Sequence, residues 1–166
     1  MEGTGLEKTI GVLNEKFEGE VLHAAMLYDF PTITLKKDKI IEIIRFLKEH
    51  PDTRYHYLTT LCGIHFPELN QIAIMYQLHN MMSGERVRLK IYLPAEKPEV
   101  PTLTTVFAGA NWMERETYDF FGVIFTGHPD LRRILNVEDM IMFPLRKEFP
   151  LEDQVREDKN DTMFGR

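Results

Sequence analysis

The sequence predicts an α+β fold, a two-layer domain with helices on one face of a mixed, mostly antiparallel sheet, followed by an extended C-terminal arm. Three observations carry this. Apolar periodicity runs in the order helix, strand, strand, helix, strand, strand, strand before one last helix. Clean periodicity then fades after about Ile124. With 43% hydrophobic and 28% charged residues, 166 residues suit one compact core plus a peripheral extension. The expected division is an α+β domain over 1–123 and an arm with a charged tail over 124–166.

The elements follow in order. Thr4 and Glu7 form a capping box ahead of Leu6, Ile10, Leu13 and Phe17, an apolar stripe at helical spacing that stops at Gly19. Val21 to Leu27 and Ile33 to Leu35 read as strands separated by a turn at Asp29-Phe30-Pro31. Asp38 is placed to cap a second helix whose Ile40, Ile43, Ile44 and Leu47 face a core. His50-Pro51 ends it, because proline disfavours the helical conformation in the residue before it. Tyr55 to Leu61 has the β-branched and aromatic content of a strand, with a loop at His65-Phe66-Pro67. Ile72, Ile74, Tyr76 and Leu78 alternate with polar or smaller residues, as do Val87, Leu89, Ile91 and Leu93. These are two half-buried strands joined through Ser83-Gly84. Pro94, Pro98 and Pro101 punctuate an extended connector to the last helix.

Composition excludes several function classes. A net charge of -6 argues against nucleic acid as a partner, since phosphate binding needs a basic surface. The single Cys62 can form no internal disulfide and cannot supply the thiolates of a structural zinc or an iron–sulfur cluster; it is expected to be a small buried hydrophobe. His50, His56, His65 and His79 lack ligand spacing and read as structural or surface residues. No apolar run reaches the ~18–20 residues needed to span a bilayer, and the start resembles neither a secretion signal nor a transit sequence. The expectation is a soluble chain in a reducing, bacterial cytoplasmic setting. Arg86, Arg88 and Lys90 make a basic stripe read as a solvated sheet face. Met140 to Phe143 is an apolar cluster expected either to fold back on the domain or to meet a partner. Beyond Leu151 the chain is charged until Met163-Phe164. That tail is expected to be disordered unless a partner orders it.

The most informative block is Asn111 to Leu135, Asn-Trp-Met-Glu-Arg-Glu-Thr-Tyr-Asp-Phe-Phe-Gly-Val-Ile-Phe-Thr-Gly-His-Pro-Asp-Leu-Arg-Arg-Ile-Leu. Asn111 and Glu114 are spaced as a reciprocal cap, which would put Glu114 and Glu116 in the first turn, and Gly122 suits the left-handed residue that ends a helix. Met113, Thr117, Phe120 and Phe121 share one face. Trp112, Arg115 and Asp119 form the neighbouring stripe, so charges lie beside the apolar seam and need partners if covered. Arg132 and Arg133, with His128 behind them, are close enough in sequence to supply those partners. The density of aromatic, methionine and arginine residues reads as a docking surface, with Glu114, Arg115, Glu116, Asp119, His128, Arg132 and Arg133 as its candidate contacts. No catalytic, cofactor-binding or metal-binding residue is expected.

The same string closely resembles the signature of the 30 kDa (C-type) subunit family of the proton-pumping NADH:quinone oxidoreductase, respiratory complex I. Glu114, Arg115, Glu116, Asp119, Gly122, His128, Pro129, Leu131, Arg132, Ile134 and Leu135 fall where the family pattern puts those residue types, in order and without a gap. Pro144 to Leu151 resembles the family segment after the signature, although this chain has Met142-Phe143 where usual members carry a Gly-His or similar pair. It also has Cys62-Gly63 where an acidic residue is more usual. The resemblance implies a structural subunit of the peripheral arm, on the cytoplasmic face of the bacterial inner membrane and touching the membrane only through its assembly. Its implied partners are the 49 kDa (D-type) and B-type subunits. It implies no cofactor here, with NADH, FMN, iron–sulfur clusters and quinone handled by other subunits of an assembly that couples electron transfer to proton translocation. An equivalent subunit of a membrane-bound hydrogenase or another quinone-linked oxidoreductase is the nearest alternative. A free-standing acid–base enzyme using Glu116, His128 and Arg132 is the alternative from a different class.

Overall fold

The computed structural model describes residues 5–149. The expected Thr4 cap and the tail from about Glu152, with Met163 and Phe164, lie outside the described residues. In chain order the elements are α1 (Gly5–Lys16), β1 (Val21–Leu27), β2 (Phe30–Leu35), α2 (Ile40–Glu49) and β3 (Tyr57–Phe66). A short 3-10 turn (Pro67–Leu69) leads to β4 (Gln71–His79), β5 (Arg86–Pro94), β6 (Glu99–Pro101), α3 (Ala110–Phe121) and β7 (Ile124–Thr126).

Five strands form one sheet in the order β1-β2-β5-β4-β3, with β2 and β5 parallel and the other neighbours antiparallel. The sheet is therefore mixed and mostly antiparallel. The one parallel pair follows from the long excursion through α2, β3 and β4 between its strands. Register defines the layers. Ile33, Leu89, Tyr76 and Leu61 are cross-strand neighbours in one row, each no more than 2% exposed. They share a core with Leu13 of α1 and with Ile40, Ile43, Ile44 and Leu47 of α2, all fully buried. Each such side chain removes enough apolar surface to contribute about 1.5–3 kcal/mol. The alternate row, Thr34, Lys90, Met75 and Cys62, points to the other face.

Several local expectations shift. The β1–β2 turn is Tyr28-Asp29, both with positive φ (50° and 63°), the arrangement that matches the twist of a two-residue hairpin. Phe30 and Pro31 thus belong to β2. Pro31 lies ahead of Thr32–Thr34, the stretch paired with β5, so its missing N–H falls outside that ladder. Asp38 is not the cap of α2; Lys39 holds that position, and its side chain makes no capping hydrogen bond to the helix. The β3 strand starts later and runs through His65 and Phe66, because β4 pairs with it as far as Phe66–Gln71. The proline-rich connector holds β6, which pairs in parallel with β7 after α3. That two-stranded link fixes both ends of α3 beside the main domain, and Ile124 N–H donating to Pro98 O at 2.8 Å extends it.

Candidate docking surface

Helix α3 begins one residue before Asn111. Gly109 is its N-cap, so Asn111 and Glu114 do not form the expected box and neither Glu114 nor Glu116 lies in the first turn. Its C-terminus agrees with expectation: Gly122 takes φ 75° and its N–H donates to Tyr118 O. An α-carbon substituent there would sit 2.5 Å from the ring of Phe143, so Gly122 is needed for close approach as well as for conformation.

Glu114 turns inward and is fully buried. Its Oε2 accepts from the Thr102 hydroxyl at 2.5 Å and its Oε1 from the Leu103 amide at 2.6 Å, tying α3 to the chain after β6. Burial pushes its pKa up to about 7, against the opposing pull of these two donors. The His128 ring reaches within 3.9 Å of Oε2 through Nε2. Asp130 N–H donates to His128 Nδ1, which leaves the ring proton on Nε2, where it meets Asn111 O at 3.2 Å.

Asp119 is the second inward carboxylate, also fully buried. Its Oδ2 accepts from the amides of Ile134, Leu135 and Asn136 at 3.1, 2.8 and 2.9 Å. Its Oδ1 accepts from Arg133 Nη1 at 2.7 Å and Asn136 Nδ2 at 3.0 Å. Burial alone would raise its pKa. The amides of Asn136 and Leu135, with Arg133 and the Asn136 carboxamide, instead hold it well below the usual carboxylate range. Arg133 also donates to the carbonyls of Asp119, Met140 and Met142, which folds the arm into a loop around one guanidinium. Its partner was legible in the sequence as a nearby charge. The three consecutive amides were not, because backbone donors leave no residue-type signal.

Arg115 donates to the carbonyls of Arg132 and Arg133, again toward the arm. Arg132 forms an exposed pair with Asp130 at 2.9 Å, a contact worth under ~1 kcal/mol, and Glu116 is exposed. The structure thus divides the seven candidates: Glu114, Asp119, His128 and Arg133 bond inward, Arg115 lies at the seam, and Glu116 and Arg132 face out. Trp112 faces out with them, 59% exposed, over a shallow depression it shares with Ala108 and Pro129. The 140–143 cluster also splits. Phe143 folds back between Arg133 and Arg146, whose guanidinium carbons lie 5.2 and 5.1 Å from its ring centre, while Ile141 is 94% exposed. Arg146 donates to Phe121 O and Lys147 N–H donates to His65 Nδ1, so the arm is sewn along α3 and the end of β3. The ring of Phe143 occupies the place where the sequence departs from the usual family pair. At the other departure, Gly63 lets Phe121 approach β3, since a Cβ there would sit 2.7 Å from that ring. Cys62 is only partly buried, and burial raises its thiol pKa. Among the described residues no group of three or more His, Cys, Asp or Glu could hold a metal ion, and no helix is long and apolar enough to cross a membrane.

With this geometry in place, the comparisons with known proteins are specific. The family model described as respiratory-chain NADH dehydrogenase, 30 Kd subunit, matches residues 33–155. One C-type subunit of the NADH-quinone oxidoreductase of Rhizobium etli (strain CIAT 652) is 40% identical over 138 residues, covering 82% of this chain and 73% of that protein. The C-type subunit of the Geobacter metallireducens enzyme is 36% identical over 147 residues, covering 87% and 90%. Among solved structures, a trypsin-resistant fragment of Nqo5 aligns with TM-score 0.57 at 27% identity, over 66% of this chain and 89% of that one. A chain of the membrane-bound sulfane sulfur reductase, an archaeal respiratory membrane complex, aligns with TM-score 0.75 at 23% identity over 95% and 98%, a likeness of fold.

Proposed function

Because the chain belongs to the 30 kDa subunit family of the respiratory-chain NADH dehydrogenase, we propose that it is a redox-silent structural subunit of the peripheral arm of a proton-translocating NADH:quinone oxidoreductase. Its direct neighbours in this reading are the 49 kDa (D-type) and B-type subunits, on the cytoplasmic face of the membrane. NADH, FMN, iron–sulfur clusters and quinone are handled by those and other subunits.

The observation that supports this reading best is the direction of the signature's acid–base groups. Glu114 and Asp119 are fully buried and bonded within the domain, and Arg133 closes the second network. Asp119 and Arg133 clasp the arm against α3, and Glu114 ties α3 to the chain after β6. The acid–base alternative would need Glu116, His128 and Arg132 to converge on open space. Glu116 and Arg132 are exposed, and both ring nitrogens of His128 are engaged by the backbone. What the clasps leave outside is Trp112 and Arg132 on a rigid base, the residue types that dominate protein contacts. The lone thiol of Cys62 cannot bind a cluster by itself.

Affinity purification through a tag on this chain tests the reading. The D-type and B-type subunits should co-purify with NADH:quinone reductase activity. The isolated folded chain should be colourless, without stoichiometric iron, and inactive. Iron with a charge-transfer band in the isolated chain, or recovery of the chain without either neighbour, would overturn it.

A further inference from the structure

The sheet face turned away from the helices is unbalanced in charge. None of the five strands contains an aspartate or glutamate, although the whole chain has 26 carboxylates against 20 lysines and arginines. Arg86, Arg88 and Lys90 alternate along β5 on this face. Among the described residues no carboxylate pairs with any of them. Two of the charges lie over aromatic rings instead. Lys90 Nζ is 4.9 Å from the ring centres of both Phe66 and Tyr92, and the Arg88 guanidinium carbon is 4.8 Å from that of Phe30. Arg88 Nε is buried and has no hydrogen-bond partner among the described residues.

A solvated sheet face, as the sequence suggests for this stripe, would keep those donors in water and carry both signs of charge. Here the cations are held over rings on a face whose middle row also carries Met75 and Cys62, and where Ala73 is fully buried. Fixed cations, aromatic rings and methionine together characterise the contact region of protein interfaces. We propose that this open sheet face is a second docking surface, which receives an acidic segment with apolar anchors from another member of the assembly. The proposal rests on the reading of the chain as one part of a larger complex. Charge selects the occupant. A second copy packed face to face would set Arg88 and Lys90 against their own kind, and three cations on a chain of net charge -6 are a poor footprint for nucleic acid.

Carbodiimide coupling in the assembly purified through this chain tests the face directly, because it joins an amine to a carboxylate already in contact with it. Lys90 should be linked to an aspartate or glutamate of another subunit. Lys90→Arg should remove that link while the assembly is retained. The double variant Arg88→Glu/Lys90→Glu should lower recovery of the linked partner at least ten-fold while the free chain still unfolds in one cooperative transition. A Lys90 that stays unlinked and reacts with a soluble amine reagent as fast in the assembly as in the free chain would overturn the proposal. So would a link to this chain's own carboxylates, to a second copy or to nucleic acid. Recovery of no other subunit would overturn both readings, whereas full recovery with a solvent-reactive Lys90 overturns this one alone.

Discussion

Arg133 and Asp119, fourteen positions apart, form an ion pair of 2.7 Å in which the carboxylate is fully buried and the guanidinium side chain is 6% exposed. The pair holds the start of the arm to α3, and the amides of Ile134, Leu135 and Asn136 complete its hydrogen bonding. Removing one member of a buried pair strands the other, at a typical cost of ~3–5 kcal/mol. Asp119→Asn should therefore lower the free chain's stability in urea by about that amount, with hydrogen exchange at 134–136 rising first. A loss below about 1 kcal/mol would show that the pair is effectively solvated.

The acid response of this clasp has a definite sign. A carboxylate held below its ordinary value stabilises the fold fully above its unfolded pKa of ~3.9, and that contribution is lost as pH falls through the folded value. Protection of the Ile134, Leu135 and Asn136 amides, corrected for intrinsic exchange, should stay flat from pH 7 to about 4 and decline only below. Decline between pH 7 and 5 would assign the clasp to another group.

Glu114 behaves in the opposite sense. With its folded pKa raised to about 7, the native state holds a proton that the unfolded chain releases near ~4.5. Its contribution is present at low pH and is lost as pH rises from about 4.5 to 7, in total about 3 kcal/mol. Glu114→Gln can still accept from the Leu103 amide and can donate to Thr102, so it should flatten the pH dependence of stability across that window. Urea unfolding at a series of pH values measures this, and an unchanged slope would refute it.

Gly122 meets two demands that substitution separates. Alanine there must adopt φ 75°, at ~1–2 kcal/mol, and its methyl group meets the Phe143 ring. Gly122→Ala should destabilise the chain more than Gly122→Ala/Phe143→Ala does relative to Phe143→Ala alone, because the second background removes the clash and leaves the backbone strain. Thermal unfolding of the four proteins gives the comparison. Equal effects in both backgrounds would mean that the ring moves freely.

Trp112 is the only tryptophan and is 59% exposed, so it reports on its own surroundings. If it anchors the docking surface, its emission should shift to shorter wavelength on binding a neighbouring subunit. Trp112→Ala should change free-chain stability by less than about 0.5 kcal/mol yet weaken assembly by ~2 kcal/mol or more. Unaltered assembly would move the interface elsewhere on the molecule.

The sequence by itself determined the α+β class, the helices and main-sheet strands, and the family, because apolar periods and a long ordered signature are written in residue types. Ile40, Ile43, Ile44 and Leu47 announce a buried helix face before any contact is known. It also put Asp119 and Arg133 within reach of each other. The tertiary structure decided what those charges do. Whether Glu114 caps its own helix or crosses to Thr102 depends on β6 and β7 pairing across α3, and strands of three residues are too short to show a period. The Asp119 cradle is built from backbone amides, which every residue except proline supplies, so no sequence pattern marks it. Phe143 behaved likewise: its apolar character was plain, and only the close approach at Gly122 settled that it folds inward while Ile141 faces out.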